Sequence, residues 1–166
     1  MKYATTTVIC CAAGIGRTFF TQDATAAKRT TFFSKRMVTI PNSSFTVDID
    51  LCDGDNVTEV AKAVDVLAKS GNYRYVLVPN DYALKAELRK IGLVYLTVCP
   101  FVDELNAWVK RWMKADASTE TIEKRISGWN ANYTQYAGEI PIIYLSADEW
   151  LGNILSQTIA TDGKDV

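Results

Sequence analysis

The chain has 166 residues, 48% hydrophobic and 22% charged, with a formal net charge of -1. This is the profile of one globular domain with a real core, and it gives no global attraction to nucleic acid or to an anionic membrane. Histidine is absent, which excludes Ser-His-Asp and Cys-His catalysis and histidine metal sites. Chemistry must then rest on Asp, Glu, Lys, Arg, backbone amides or a bound metal.

The cysteines are Cys10, Cys11, Cys52 and Cys99. They form no C-x-x-C pair, so neither a disulfide framework nor a zinc site is expected. No apolar run has the length of a membrane span, and the first residues lack the apolar core of a secretory signal. A cytoplasmic protein with no membrane partner is expected.

Thr5 to Ala13 is β-branched and apolar and reads as a strand buried on both faces, as in a parallel sheet. A glycine turn follows, and then a helix from Gly16 to about Ala27. Free amides at a helix N-terminus behind a glycine loop suit an anion. Against the phosphate-loop signature G-x-x-x-x-G-K-[ST], Gly16, Arg17 and Thr18 fill the last three positions, with arginine in place of lysine. Cys11 stands at the first glycine. The candidate phosphate-binding residues are therefore Cys11, Ala12, Ala13, Gly14, Ile15, Gly16, Arg17 and Thr18, with the Thr18 hydroxyl available to Mg²⁺. Two other readings stay open. Gly14 and Gly16 also begin a dinucleotide fingerprint, G-x-G-x-x-G, but Phe19 takes its third position and no acid follows at the ribose distance. The turn could equally be a plain strand-to-helix connection.

Lys28 to Phe45 interleaves Lys28, Arg29, Lys35 and Arg36 with Phe32 and Phe33. It reads as a solvated basic loop beside core aromatics, with nucleic-acid binding as the alternative. A short strand is expected at Met37 to Ile40, before Pro41. In Thr46 to Asp55, Val47, Ile49 and Leu51 face one way and Asp48 and Asp50 the other. Those acids are candidates for an acceptor or a metal, or simply an acidic strand edge.

Asn56 to Ser70 is a helix with Val57, Val60, Ala61, Val64 and Leu67 on one face. Tyr73 to Pro79 is a strand. Asp81 is placed to cap a helix over Tyr82 to Ile91. Leu93 to Cys99 is a third strong strand. Asp103 to Lys114 and Ser118 to Tyr136 are amphipathic helices, with Trp108, Trp112 and Trp129 on their apolar faces. Ile142 to Leu145 is a last strand, Ser146 caps a helix to Leu155, and the tail from Gln157 is expected to be disordered. Alternating strands and helices imply a single three-layer α/β/α domain over residues 1–156 with a mostly parallel sheet. Ligands of such sheets bind at the carboxyl ends of the strands.

DGDNVTEVAKAVDVL, YRYVLVPNDYALKAELRKIGLVYLTVCP, ELNAWVKRWMKADASTETIEKRISGW and IIYLSADEWL resemble the phage-encoded nucleotide kinase-like proteins of the P-loop superfamily. These are relatives of adenylate, guanylate and deoxynucleoside monophosphate kinases. The resemblance covers Asp53 to Leu155 better than the first 50 residues. It implies a P-loop kinase-like fold, ATP and Mg²⁺ as cofactors, and transfer of the γ-phosphoryl group to a nucleoside monophosphate. Lys110 and Arg111 match the basic lid residues and, with Arg17, become the candidate catalytic cations. Asp48, Asp50 and Arg125 become candidates for the acceptor. Ala115 and Asp116 stand where the family carries a second lid arginine and a glycine. With the altered loop, this keeps a second expectation open: a nucleotide- or phosphate-binding module without turnover, or a retired kinase fold serving protein interaction.

Overall fold

A computed structural model describes residues 5–15, 28–33, 36–41, 46–52, 54–136, 142–149 and 151. Its strands are β1 (Thr7–Cys11), β2 (Lys28–Phe33), β3 (Arg36–Pro41), β4 (Thr46–Asp48), β5 (Tyr75–Pro79), β6 (Tyr95–Pro100) and β7 (Ile142–Leu145). Its helices are α1 (Val57–Lys69), α2 (Tyr82–Lys90), α3 (Leu105–Lys114) and α4 (Thr119–Tyr136), with a 3₁₀ turn at Val102–Glu104 leading into α3. The helix expected over Gly16 to Ala27 and the tail from Gln157 lie outside the described residues; of the helix expected over Ala147 to Leu155, Ala147 and Asp148 form a turn instead, Leu151 is helical, and the rest lies outside the described residues.

The sheet order is β2-β3-β4-β5-β1-β6-β7. The run β4-β5-β1-β6-β7 is parallel throughout, and β2 and β3 add an antiparallel hairpin at the β4 edge. This hairpin departs from the expected basic loop: Lys28–Phe33 pairs with Arg36–Pro41 along its whole length. Threonine, valine, isoleucine and phenylalanine favour a pleated strand, and here that preference prevails over the cations Lys28, Arg29 and Arg36.

The two faces of the sheet differ. Val8 and Cys10 of β1, Val47, Val76 and Val78 pack under Val60, Ala61, Val64 and Leu67 of α1 and Leu84 and Leu88 of α2. Ile9 and Cys11 of β1, Leu77, Val98 and Leu145 pack against Trp108 and Trp112 of α3 and Trp129 of α4. The result is a three-layer α/β/α arrangement. Local signals set the helix ends: the Asn56 side chain accepts from the amides of Thr58 and Glu59, and Asp81 accepts from Leu84 at 2.8 Å. Ser118 accepts from the amide of Thr121 at 3.1 Å, as an N-cap should.

The functional consequence lies in strand order. β5 and β6 follow one another in the chain but lie on opposite sides of β1. The chain therefore changes direction across β1, and the crevice beyond the carboxyl end of β1 is the topological switch point where open α/β sheets place ligands.

Candidate functional site

β1 ends at Cys11, and residues 12–15 form the turn at the switch point. Two backbone bonds tie its start. The Ala12 amide donates to Val98 O at 3.0 Å, and the Asn80 amide donates to Cys11 O at 2.9 Å, so the strands on both sides hold the root of the loop. Gly14 then takes φ +81°. Any L side chain is strained there. Space is also short: a Cβ on Gly14 would lie 2.6 Å from Trp112 Nε1 and 3.1 Å from the guanidinium carbon of Arg125.

Helix α3 grips this turn by two successive carbonyls. Trp112 Nε1 donates to Gly14 O at 3.0 Å. Arg111 Nη2 donates to Ile15 O at 3.4 Å. The other end of the Arg111 guanidinium donates to Ala147 O at 3.2 Å and to Glu149 O, in the segment that follows β7. Its carbon lies 4.4 Å from the centroid of the Trp108 ring. Arg111 thus braces the loop against the far side of the site. The nearby backbone is pinned as well: the Glu104 carboxylate accepts from Ser146 Oγ at 3.0 Å and from the Ala147 amide at 3.1 Å.

Arg125 reaches the same place from α4. Its guanidinium carbon lies 5.2 Å from the centroid of Trp112, within cation–π range. Trp129 meets Trp112 edge-on at 6.1 Å. Burial pushes the pKa of both Arg111 and Arg125 below the usual arginine value. Each remains a cation at neutral pH, so two partly desolvated positive charges flank the turn.

The polarity of the turn follows from these contacts. The carbonyls of Gly14 and Ile15 are occupied by α3. No described residue accepts a hydrogen bond from the amides of Ala13, Gly14 or Ile15. Successive amides around a left-handed residue make a concavity suited to an anion.

The remaining candidates are less close. Asp48 is buried and in register with Leu77, which is itself in register with Ile9 of β1. It therefore lies two strands, about 10 Å, from β1. Asp50 is exposed two residues beyond it, at the same rim of the sheet. Lys110 is exposed and, with Lys114, Met113, Ala147 and Asp148, lines an open groove of about 930 Å³ that also touches Arg111. Gly16, Arg17 and Thr18 lie outside the described residues. Among the described residues, no group of three or more Cys, Asp or Glu side chains could hold a metal ion. No described helix is long and apolar enough to cross a membrane.

Sequence reasoning placed Trp112 in the core and missed its bond to the loop. The spacing of Trp108 and Trp112 gives one helix face but cannot show that one indole N–H meets a carbonyl 98 residues away. It also missed Lys85, which is buried and donates to Asn80 Oδ1 at 2.8 Å, steadying the residue whose amide holds Cys11.

No protein family, curated protein or solved structure matches this chain. The parallel strands, counted in chain order, run 2-3-1-4-5. The dinucleotide-binding sheet has its second strand beside the first, so the open G-x-G start at Gly14 has no matching topology here.

Proposed function

We propose that this chain is a nucleotide-binding protein of P-loop kinase-like type that holds the phosphates of ATP at the Ala12–Ile15 turn. The observation that carries this reading is the turn itself. It sits at the switch point, its carbonyls are drawn back by Trp112 and Arg111, and Arg125 stands beside Gly14. Amides with no described acceptor and a partly desolvated cation are what a phosphate needs.

Arg17 and Thr18 continue the same loop in sequence and would add a second cation and a hydroxyl. Mg²⁺ would arrive bound to the nucleotide phosphates, since no described carboxylate cluster would hold it alone. The groove along Lys110 and Lys114 opens next to Arg111 and offers apolar walls and positive charge to the rest of the nucleotide. Phosphoryl transfer to a nucleoside monophosphate needs positioning and charge neutralisation more than covalent chemistry, so a chain without histidine could support it. In that reaction Arg125 and Lys110 would stabilise the transferred group, and Asp48 or Asp50 would meet the acceptor.

Binding without turnover is the second reading, and Arg111 favours it. A lid cation must be free to close over phosphate, whereas Arg111 is engaged with the carbonyls of Ile15, Ala147 and Glu149. Titration with ATP, followed by a screen of nucleoside monophosphates for ADP formation, separates the two. Binding with ADP release supports the kinase, binding alone supports the module, and no binding overturns both.

A further inference from the structure

We infer that Trp112 is a positioning residue for the loop, setting both the amides and the cation that meet an anion there. This rests on the proposed phosphate binding and adds a role that no loop motif assigns to α3. A trans peptide is planar, so the carbonyl of one residue and the N–H of the next point in opposite directions. By holding Gly14 O at 3.0 Å, the Trp112 indole turns the Ile15 N–H away from α3. The same ring carries Arg125 on its π system at 5.2 Å, and this seats the guanidinium carbon 3.1 Å from where a Gly14 Cβ would be.

Trp112 is itself fixed from behind by Trp108 at 6.3 Å and Trp129 at 6.1 Å. Its N–H is used selectively. The indole N–H of Trp108, in the same cluster, is buried without a hydrogen-bond partner, while that of Trp112 is spent on the loop. A tryptophan kept only for packing would need neither the bond to Gly14 nor a glycine that admits it.

The test compares wild-type protein with Trp112→Phe, which keeps an aromatic ring for packing and cation–π contact but removes the donor. Two readouts are taken: amide ¹H–¹⁵N spectra without ligand, and calorimetric titration with ATP. The inference expects the variant to remain folded, with unchanged resonances for Val60 and Leu84 on the opposite face. It expects the Ala13–Ile15 amides to shift, and ATP affinity to fall about five- to tenfold, as loss of one hydrogen bond implies. If the wild type binds ATP and the variant binds equally well, or the loop amides do not move, the inference is overturned while the functional reading stands. If Trp112→Phe fails to fold, Arg125→Gln in the wild-type background decides. Undiminished ATP affinity there also overturns the inference, and a loss of about tenfold with the fold intact supports it. If the wild-type protein binds no ATP, the functional reading fails and the positioning role falls with it.

Discussion

Trp112 and Gly14 are 98 positions apart and joined by one hydrogen bond of 3.0 Å, at a place where no Cβ would fit. This pair ties the aromatic core between α3 and α4 to the turn at the end of β1. It makes the glycine a demand of packing as well as of backbone conformation. It also gives the first prediction. Gly14→Ala should destabilise the fold by about 1–3 kcal/mol through the left-handed φ, with a further loss from displacing the indole. Urea unfolding followed by tryptophan fluorescence measures this. A variant as stable as wild type would show that the turn relaxes and that the pairing is incidental.

Arg125 has a different signature. Its charge is half-buried against the face of Trp112. Removing it relieves a desolvated cation, so Arg125→Gln should leave thermal stability within about 0.5 kcal/mol of wild type. The same change should weaken ATP binding about tenfold, the scale of one charge-assisted hydrogen bond. Equal affinity would remove Arg125 from the site.

Arg111 should behave in the opposite way. It joins α3, the loop and the segment after β7 through backbone carbonyls. Arg111→Lys keeps the charge but cannot span three carbonyls. A stability loss of about 1–3 kcal/mol is expected, since acceptors lose a partner. Thermal melting tests it. A stable Arg111→Lys variant with reduced ATP affinity would return Arg111 to the role of a phosphate-binding lid cation.

Helix α1 supplies a control far from the loop. Asn56 caps α1 by accepting from Thr58 and Glu59 at 3.0 and 3.3 Å. Asn56→Ala should cost about 1 kcal/mol and leave ATP affinity unchanged. A change in affinity would mean that stability alone governs binding, and it would weaken every inference drawn from the loop variants.

The pH dependence follows from composition. The chain has no histidine, and Arg111 and Arg125 stay charged despite their lowered pKa. The group that titrates near neutrality is then the ligand. A terminal phosphate gains a proton as pH falls through about 6. Lower negative charge means weaker binding, so ATP affinity should be flat from about pH 7 to 9 and decline below about pH 6. A steep change near pH 8 in calorimetric titrations would point to a titrating protein group, such as a cysteine.

Much of the fold could be read from the sequence because local signals agreed with it. The unbroken apolar runs at Val8–Cys11 and Tyr75–Val78 became central parallel strands, and Asp81 capped the helix it precedes. Lys28–Pro41 misled because charge suggested solvent, while its threonines and aromatics suited a hairpin that pairs Lys28 with Pro41 and Phe33 with Arg36. The candidate site was legible as a loop but not as a set of contacts. Sequence brought Gly14 and Arg125 forward separately, and only the packing of Trp112 between them shows that they meet. Lys110 and Arg111 looked equivalent as neighbours, yet the helical turn sends one toward the groove and the other into the backbone.

The most direct test is calorimetric titration of the wild-type protein with ATP, with and without Mg²⁺. Saturable binding on the order of micromolar, displaced by inorganic pyrophosphate, is the result the loop geometry predicts. No heat with ATP, and no displacement of a fluorescent ATP analogue by pyrophosphate, would contradict it. The turn at the end of β1 would then be a packing joint, held by Trp112 for the sake of the core alone.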